Sequence, residues 1–210
     1  MDPAAQGTTP CALRPARSSR VCGHIGSDKY GRHPVCCDKG SGFHRRHDGC
    51  RDTLADWCSQ TFRADAKTEQ HIPHWDRQGP RGLERAILDV VLVENPAAPG
   101  PIHFDLSVIE ATSTDAAEAR ARARKPGLAA LQREREKHRR YPGEFMLPAI
   151  LESGGRWGNE FRRWAKAALP PDSTRALALA DLRQRLAVSL QRGIAAALLG
   201  SSNGCKRPWS

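Results

Sequence analysis

Two apolar segments joined by a turn decide the fold: Ala86-Ile-Leu-Asp-Val-Val-Leu-Val-Glu94, Asn95-Pro-Ala-Ala-Pro-Gly-Pro101 and Ile102-His-Phe-Asp-Leu-Ser-Val-Ile109. The first segment is rich in β-branched residues, and the last alternates apolar and polar side chains with the period of a half-buried strand. The stretch between them, rich in proline and glycine, is incompatible with helix or strand. The sequence therefore predicts a β-hairpin.

Each predicted strand carries an aspartate near its middle, Asp89 in the first and Asp105 in the second. With the turn centred near Ala98, residue 89 faces 107 and residue 91 faces 105. The two aspartates are then diagonal neighbours on one face, about 7 Å apart at their Cα atoms. Asp is depleted from strands and is costly when buried without a partner. The pair predicts convergence on one hard cation such as Mg²⁺, and a solvated hairpin face is the alternative.

The segments around the hairpin predict an α+β chain. We expect a helix over 51–70, helices over 113–141 with a break near Pro126-Gly127, a third strand over Phe145–Leu151 and a short helix over 157–168. Leucines at steps of three and four predict an amphipathic helix from Ser173 to Leu199, capped at Asp172 or Ser173. The predicted organisation is a flexible lead-in over 1–20, a Cys/His-rich segment over 21–50, a core domain over 51–168, the C-terminal helix over 169–199 and a tail over 200–210.

One stripe of the predicted helix over 127–141 adds chemistry to the hairpin. Ala130, Glu134, Lys137 and Tyr141 follow one another at steps of four, three and four, which places them on one face. A lysine among carboxylates near a metal can orient a water or stabilise a pentavalent phosphate. An exposed Glu–Lys pair is the ordinary alternative.

The net charge of +10 is distributed unevenly along the chain. Residues 52–118 carry five basic and twelve acidic side chains, whereas 14–51 and 119–141 each carry nine basic ones. The basic segments on either side favour binding of a polyanion, because lysine and arginine release its counterions. The acidic segment between them would repel a polyanion unless its carboxylates hold metal ions. No apolar run approaches the roughly 20 residues of a membrane span, and the first thirty residues lack a secretory signal. We expect an intracellular protein with no membrane partner.

Six of the seven cysteines lie in the first 58 residues. Without a secretory signal a disulfide framework is not expected, so metal binding or free thiols remain. The best set of four zinc ligands is Cys22, His33, Cys37 and either His47 or His44, with Cys36 and Cys11 as substitutes. Arg45 and Arg46 beside this set could contact phosphates.

The ordered series of motifs resembles a PD-(D/E)xK, or restriction-like, endonuclease domain, and more closely the Cys/His-bearing C-terminal region of non-LTR retrotransposon polyproteins. The pieces that carry the resemblance are Cys22-Gly23, Gly31-Arg-His33, Cys37, Arg46-His47-Asp48, Glu69-Gln-His-Ile-Pro73, Leu88-Asp89-Val90, Asp105-Leu-Ser-Val108, Gly127-Leu-Ala-Ala130, Glu134-x-x-Lys137-x-x-Arg140-Tyr141, Phe145-x-x-Pro148, Glu152-Ser-Gly-Gly-Arg156 and Leu190-Gln-Arg-Gly193. It spans roughly residues 20–195. It implies a restriction-endonuclease-like core, that is, a central mixed sheet with a β-hairpin flanked by helices.

The resemblance also implies roles for individual residues. Asp89 and Asp105 would hold Mg²⁺ or Mn²⁺ with the Leu106 carbonyl, and Lys137 would position the attacking water. Glu69 corresponds to the acidic residue of the family's first helix, and Glu84 is the alternative. Arg133 and Arg140 would contact nucleic acid. Two positions differ from the motif of the family. Leu88 lies where the family usually has a proline, and Ser107 lies where the simple motif has its lysine.

The function expected from the resemblance is metal-dependent hydrolysis of DNA phosphodiester bonds by a retroelement-derived protein located in the nucleus. A nucleic-acid-binding remnant with the same fold and no turnover is the first alternative. The second is an unrelated α+β interaction protein that self-associates through its C-terminal helix.

Overall fold

The computed structural model describes residues 41–113 and 115–202. These residues divide into two units: residues 50–187 form one, and residues 41–49 with 188–202 form the other. The elements in chain order are α1 (Ser41–Phe62), β1 (Ala66–His71), a 3-10 turn (Pro73–Trp75), β2 (Arg77–Gly79), β3 (Gly82–Glu84), β4 (Ile87–Leu92), β5 (Ile102–Ile109), α2 (Ala116–Arg124), α3 (Leu128–Arg140), β6 (Met146–Glu152), α4 (Asn159–Ala167) and α5 (Thr174–Ser202). The class of the fold is therefore mixed α+β, as the sequence predicts.

The unit of residues 50–187 is built around a four-stranded mixed sheet in the order β1-β4-β5-β6. β1, β4 and β5 are successively antiparallel, and β6 lies parallel to β5. β2 and β3 form a separate small antiparallel sheet. The parallel step from β5 to β6 requires a crossover connection, which contains α2 and α3.

The predicted hairpin is present, but its predicted register is wrong by two residues. The observed pairs run from Val90↔Phe104 to Leu92↔Ile102, so the connecting loop is centred on Ala97. Asn95 fixes this loop: its N–H donates to the Gly100 carbonyl at 2.8 Å, and its Oδ1 accepts from the Trp164 indole at 3.0 Å. The shift is an even number of residues, so each side chain keeps its predicted face.

The helix predicted over 51–70 is correct only in its first part. The helix ends at Phe62, and residues 66–71 form the edge strand β1. Leu54, Trp57 and Cys58 of this helix are buried. In β1 the exposed positions include Lys67 and Glu69, and charged side chains protect an edge strand from pairing with another chain.

The remaining predicted elements are confirmed with small changes of boundary. Helical structure breaks between α2 and α3, where Gly127 has a φ of 81° in the left-handed region that favours glycine. The third strand is β6, and the short helix is α4. The α5 helix begins at Thr174, whose N–H donates to the Asp172 carboxylate at 2.8 Å, so Asp172 provides the predicted cap.

Aromatic side chains fill the space between the sheet and α4. Phe104 on β5 lies with its ring centre 4.6 Å from that of Trp164, and Phe161 stacks on Trp164 at 6.0 Å. All three residues are almost completely buried. Burial of three large rings is worth several kcal/mol, and it fixes α4 against β5.

The unit of residues 41–49 and 188–202 contains a close approach of two helical segments. A Cβ atom on Gly193 would lie 2.5 Å from the Arg46 Cα, and one on Gly49 would lie 2.9 Å from the Ser189 hydroxyl. Glycine is therefore required at position 193, where the facing atom belongs to the backbone. Leu190 is buried in the same unit.

The amphipathic stripe of α5 is largely covered. Leu182, Leu186 and Leu190 are at most 1% exposed, whereas Leu177 is 73% exposed. Self-association through this helix stays a prediction. The helices of residues 41–113 and 115–202 contain no segment with the length and hydropathy of a membrane span.

Candidate functional site

Three strands bring acidic residues to one level of the sheet. The β4–β5 register, continued by one pair, sets Asp89 opposite Asp105. Asp89 is half-buried, and its Oδ2 accepts the Leu106 N–H at 2.6 Å. Asp105 is 6% exposed. The two aspartates thus share a face, as the sequence predicts, and lie directly opposite each other rather than diagonally.

Lys137 reaches this pair from α3. Its Nζ lies 2.6 Å from the Asp105 Oδ1, and the two side chains are 11% and 9% exposed. Burial lowers the pKa of Lys137, and the nearby Asp105 carboxylate opposes that shift. The structure therefore brings together three of the four predicted catalytic residues: Asp89, Asp105 and Lys137.

Burial also changes the acidity of Asp105. Removal from water raises the pKa of its carboxyl above the ordinary 3.8, the Lys137 ammonium lowers it, and the charge on Asp89 raises it. A buried carboxylate beside a second carboxylate favours an added positive charge. The site therefore has the electrostatics of a cation-binding position.

The donor set fits Mg²⁺ or Mn²⁺ at this position. The Asp105 Oδ2 is buried and accepts no hydrogen bond, so a ligand atom is available beside Asp89. Within residues 41–113 and 115–202, no three His, Cys, Asp or Glu side chains lie close enough to share one ion. Two carboxylates suffice for Mg²⁺, which usually keeps water and binds substrate phosphates as well. The ligand role of the Leu106 carbonyl stays a prediction.

Glu69 does not lie where the sequence predicts it. It belongs to β1 rather than to a helix, at the register position facing Asp89, and its φ of 52° is left-handed. Its carboxylate pairs with Arg51 of α1 at 2.5 Å. Its competitor Glu84 lies on β3 and pairs with Arg77 at 2.7 Å. The sequence Ala-Lys-Thr-Glu-Gln-His of β1 has no apolar alternation that would identify it as a strand.

Glu134, on the same α3 stripe as Lys137, has a structural role. It is 1% exposed, and its Oε1 accepts the Glu160 N–H at 3.0 Å, at the start of α4. Burial raises the pKa of Glu134, and the hydrogen bond from the Glu160 backbone lowers it. Its carboxylate thus caps α4, and only Lys137 of the predicted Glu–Lys pair faces the aspartates.

The predicted arginines differ in placement. Arg133 faces the site, with its Nε 3.4 Å from the Ser107 hydroxyl and its Nη1 2.8 Å from Glu136. Arg140 is exposed, with its guanidinium 5.2 Å from the centre of the Tyr141 ring. Both remain available to a polyanion.

Most of the predicted zinc ligands lie outside the described residues, namely Cys22, His33 and Cys37 with the substitutes Cys36 and Cys11. His47 is described and lies on α1, with its Nδ1 3.5 Å from the Asp48 carboxylate. Arg45 is exposed, whereas Arg46 is 3% exposed beside the Phe43 ring. Burial of Arg46 argues against its predicted phosphate contact.

Two buried side chains near the aspartates were not predicted as site residues. His103 precedes Asp105 by two positions on the same face of β5 and is 8% exposed. Burial lowers the pKa of His103. Tyr141 is 5% exposed, and burial followed by the charge on Asp105 raises its pKa. The two-residue period of β5 could have identified His103.

No protein-family model matches this chain, and no curated protein matches its sequence.

Proposed function

We propose that the chain is a retroelement-derived, metal-dependent nuclease of the restriction-like kind that hydrolyses DNA phosphodiester bonds. One observation carries the proposal: a buried aspartate pairs with a buried lysine at 2.6 Å and presents its second oxygen, without a hydrogen bond, beside another aspartate. A central mixed sheet with a hairpin, flanked by helices, supports the restriction-like part of the proposal. The proposal includes a nuclear location, where chromosomal DNA lies.

Asp89 and Asp105 would hold Mg²⁺ or Mn²⁺ in this proposal. When bound, the ion lowers the pKa of a water and neutralises charge that develops on the phosphate. Lys137 is held at one oxygen of Asp105, so its remaining N–H groups can orient that water and approach a phosphate oxygen. Its lowered pKa makes it a better proton carrier than a solvated lysine.

Arg133 supports this arrangement from outside the buried pair. Its positive charge lowers the pKa of Asp105 and of Lys137. A guanidinium at the edge of the site can bind a non-bridging phosphate oxygen and position the strand.

A second candidate is a nucleic-acid-binding remnant of the same fold without turnover. Two observations favour it: Ser107 lies where the simple motif has its lysine, and Glu69 pairs with Arg51 rather than with the aspartates. In this candidate the basic side chains bind DNA, and the phosphodiester bonds stay intact.

Cleavage of circular plasmid DNA with and without Mg²⁺ separates the two candidates. We expect the wild-type chain to cleave in Mg²⁺ and the Asp105→Asn variant to lose about a thousandfold in rate. Asp56→Asn is the matched control, because Asp56 is an exposed residue of α1. DNA binding without cleavage by the wild-type chain would support the remnant instead.

A further inference from the structure

A basic groove lies at the other end of the α3 stripe from the aspartate pair. One cavity of about 340 Å³ is lined by Pro126, Gly127, Ala130, Gly155, Arg156, Trp157, Asn159, Arg162 and Arg183. A neighbouring cavity of about 370 Å³ shares three of these residues and adds Arg163, Lys166 and Leu179. The two cavities together form the groove, and its walls come from the start of α3, from α4 and from the first turns of α5.

Cations dominate this groove. Arg156, Arg162, Arg163, Lys166 and Arg183 line it, and all five are exposed. In the part of the chain that the structure describes, Arg162 contacts an amide oxygen of Asn159 at 3.2 Å and Arg183 lies over an indole ring. Arg156 contacts Glu152 only at 3.4 Å. These guanidinium groups are therefore only weakly paired with carboxylates of the protein, and a ligand with two or more negative charges could bind them.

An aromatic ring lies in the middle of the cations. Trp157 is half-buried, it lines both cavities, and the Arg183 guanidinium lies 5.5 Å from its ring centre. Phe161 also lies close to this ring, at 5.0 Å between ring centres. Contacts to a duplex backbone need no aromatic ring, whereas an aromatic ring among arginines is typical of sites where an unpaired base stacks.

The groove lies within reach of the proposed cleavage site. Ala130 lines the groove, and Lys137 lies two helical turns further along the same face of α3. Seven residues of helix span about 10 Å, which corresponds to roughly three nucleotides of a stacked strand at about 3.4 Å each. Glu134 between these two residues is buried, so a strand that reaches both the groove and the aspartate pair passes around α3 rather than along this face.

We infer that this groove binds an unpaired strand of nucleic acid next to the cleaved bond, with phosphates on Arg162 and Arg183 and a base on Trp157. The inference rests on the proposed function for the identity of the polyanion. It adds a specificity to that function: the preferred substrate has a single-stranded segment beside the cleaved bond.

Fluorescence anisotropy in EDTA tests the groove without catalysis. The probes are a labelled oligodeoxynucleotide of about 16 nucleotides, the length that one single-strand-binding fold covers at most, and the same strand annealed to its complement. We expect Trp157→Ala to weaken single-strand binding about tenfold and duplex binding much less. The double variant Arg162→Gln/Arg183→Gln should weaken single-strand binding and flatten its salt dependence by about 1.4 in log–log slope.

The matched control is Arg120→Gln/Arg124→Gln, which removes two exposed cations of α2 outside both cavities. It should change single-strand binding less than about twofold. Thermal melts show whether each variant is folded, and the arginine pair carries the test if Trp157→Ala unfolds. Equal losses on single strand and duplex, or no loss on either, would overturn the inference. Single-strand binding at the groove without any Mg²⁺-dependent cleavage would contradict the proposed function alone.

Discussion

The Asp105–Lys137 pair makes a strong prediction about stability. The two side chains are 9% and 11% exposed with 2.6 Å between Oδ1 and Nζ. At an effective dielectric constant of about 20 their attraction is about 6 kcal/mol, and most of it offsets the cost of burying both charges. Lys137→Met removes the ammonium and leaves the carboxylate buried, which costs about 3–5 kcal/mol of unfolding free energy. We therefore expect the melting temperature to fall by about 10 °C.

The double variant Asp105→Asn/Lys137→Met removes both charges and should recover most of that loss. Urea denaturation measures the unfolding free energies of the wild type, the two single variants and the double variant, which together form a double-mutant cycle. A common m-value for the four proteins checks that unfolding is two-state. The single lysine variant also predicts a pH dependence. Its Asp105 keeps a pKa raised above 3.8 by burial and has lost the ammonium that opposes the rise. The folded state then holds this proton more tightly than the unfolded state, so the stability deficit grows as the pH rises above about 4.

A deficit below about 0.5 kcal/mol for Lys137→Met at neutral pH would refute the reasoning, because a buried unpaired carboxylate is not compatible with so small a cost. A deficit that shrinks as the pH rises would contradict the direction of the Asp105 pKa shift.

Two further perturbations test other parts of the structure. Glu134→Gln keeps an acceptor for the Glu160 N–H and removes a carboxylate whose pKa burial raises. Relative to the wild type, the unfolding free energy of the glutamine variant should therefore rise as the pH increases above about 4.5. A difference in unfolding free energy that does not change with pH would contradict the raised pKa of Glu134. Glu134→Ala removes the acceptor and should lose about 1 kcal/mol of unfolding free energy at neutral pH. Gly193→Ala should cost about 1–3 kcal/mol, because its Cβ would overlap the facing helix backbone. Gly154→Ala is its control, since nothing lies within 4 Å of a Cβ there; equal urea midpoints for the two variants would rule out the close helix approach.

The hairpin was predictable because its two strands carry a strong local signal. The β-branched run of β4, the alternation of β5 and the proline-rich loop each favour the same structure. The register was not predictable to the residue, because Asn95 sets it through a hydrogen bond to Trp164, 69 residues away in sequence. Asp89 and Asp105 still share a face, because the predicted register differs from the observed one by two residues and side chains alternate between faces.

Residues whose role depends on distant elements were predicted less well. The edge strand β1 has the sequence Ala-Lys-Thr-Glu-Gln-His and owes its conformation to pairing with β4, so nothing local separates it from the preceding helix. Glu134 was correctly placed on a stripe with Lys137, but its capping role requires the start of α4 to lie beside it. Spacing placed Lys137 on a helix stripe, and the resemblance implied its position at the aspartates; the structure places it against Asp105.

The most direct test of the central claim is the rate of plasmid cleavage in Mg²⁺ by the Asp105→Asn/Lys137→Met variant. The stability cycle predicts that this variant stays folded, so a loss of activity reports on chemistry rather than unfolding. We expect Mg²⁺-dependent cleavage by the wild-type chain and a rate about a thousandfold lower in the double variant. Cleavage by the double variant within about tenfold of the wild type would contradict the account, and so would the absence of cleavage by the wild-type chain.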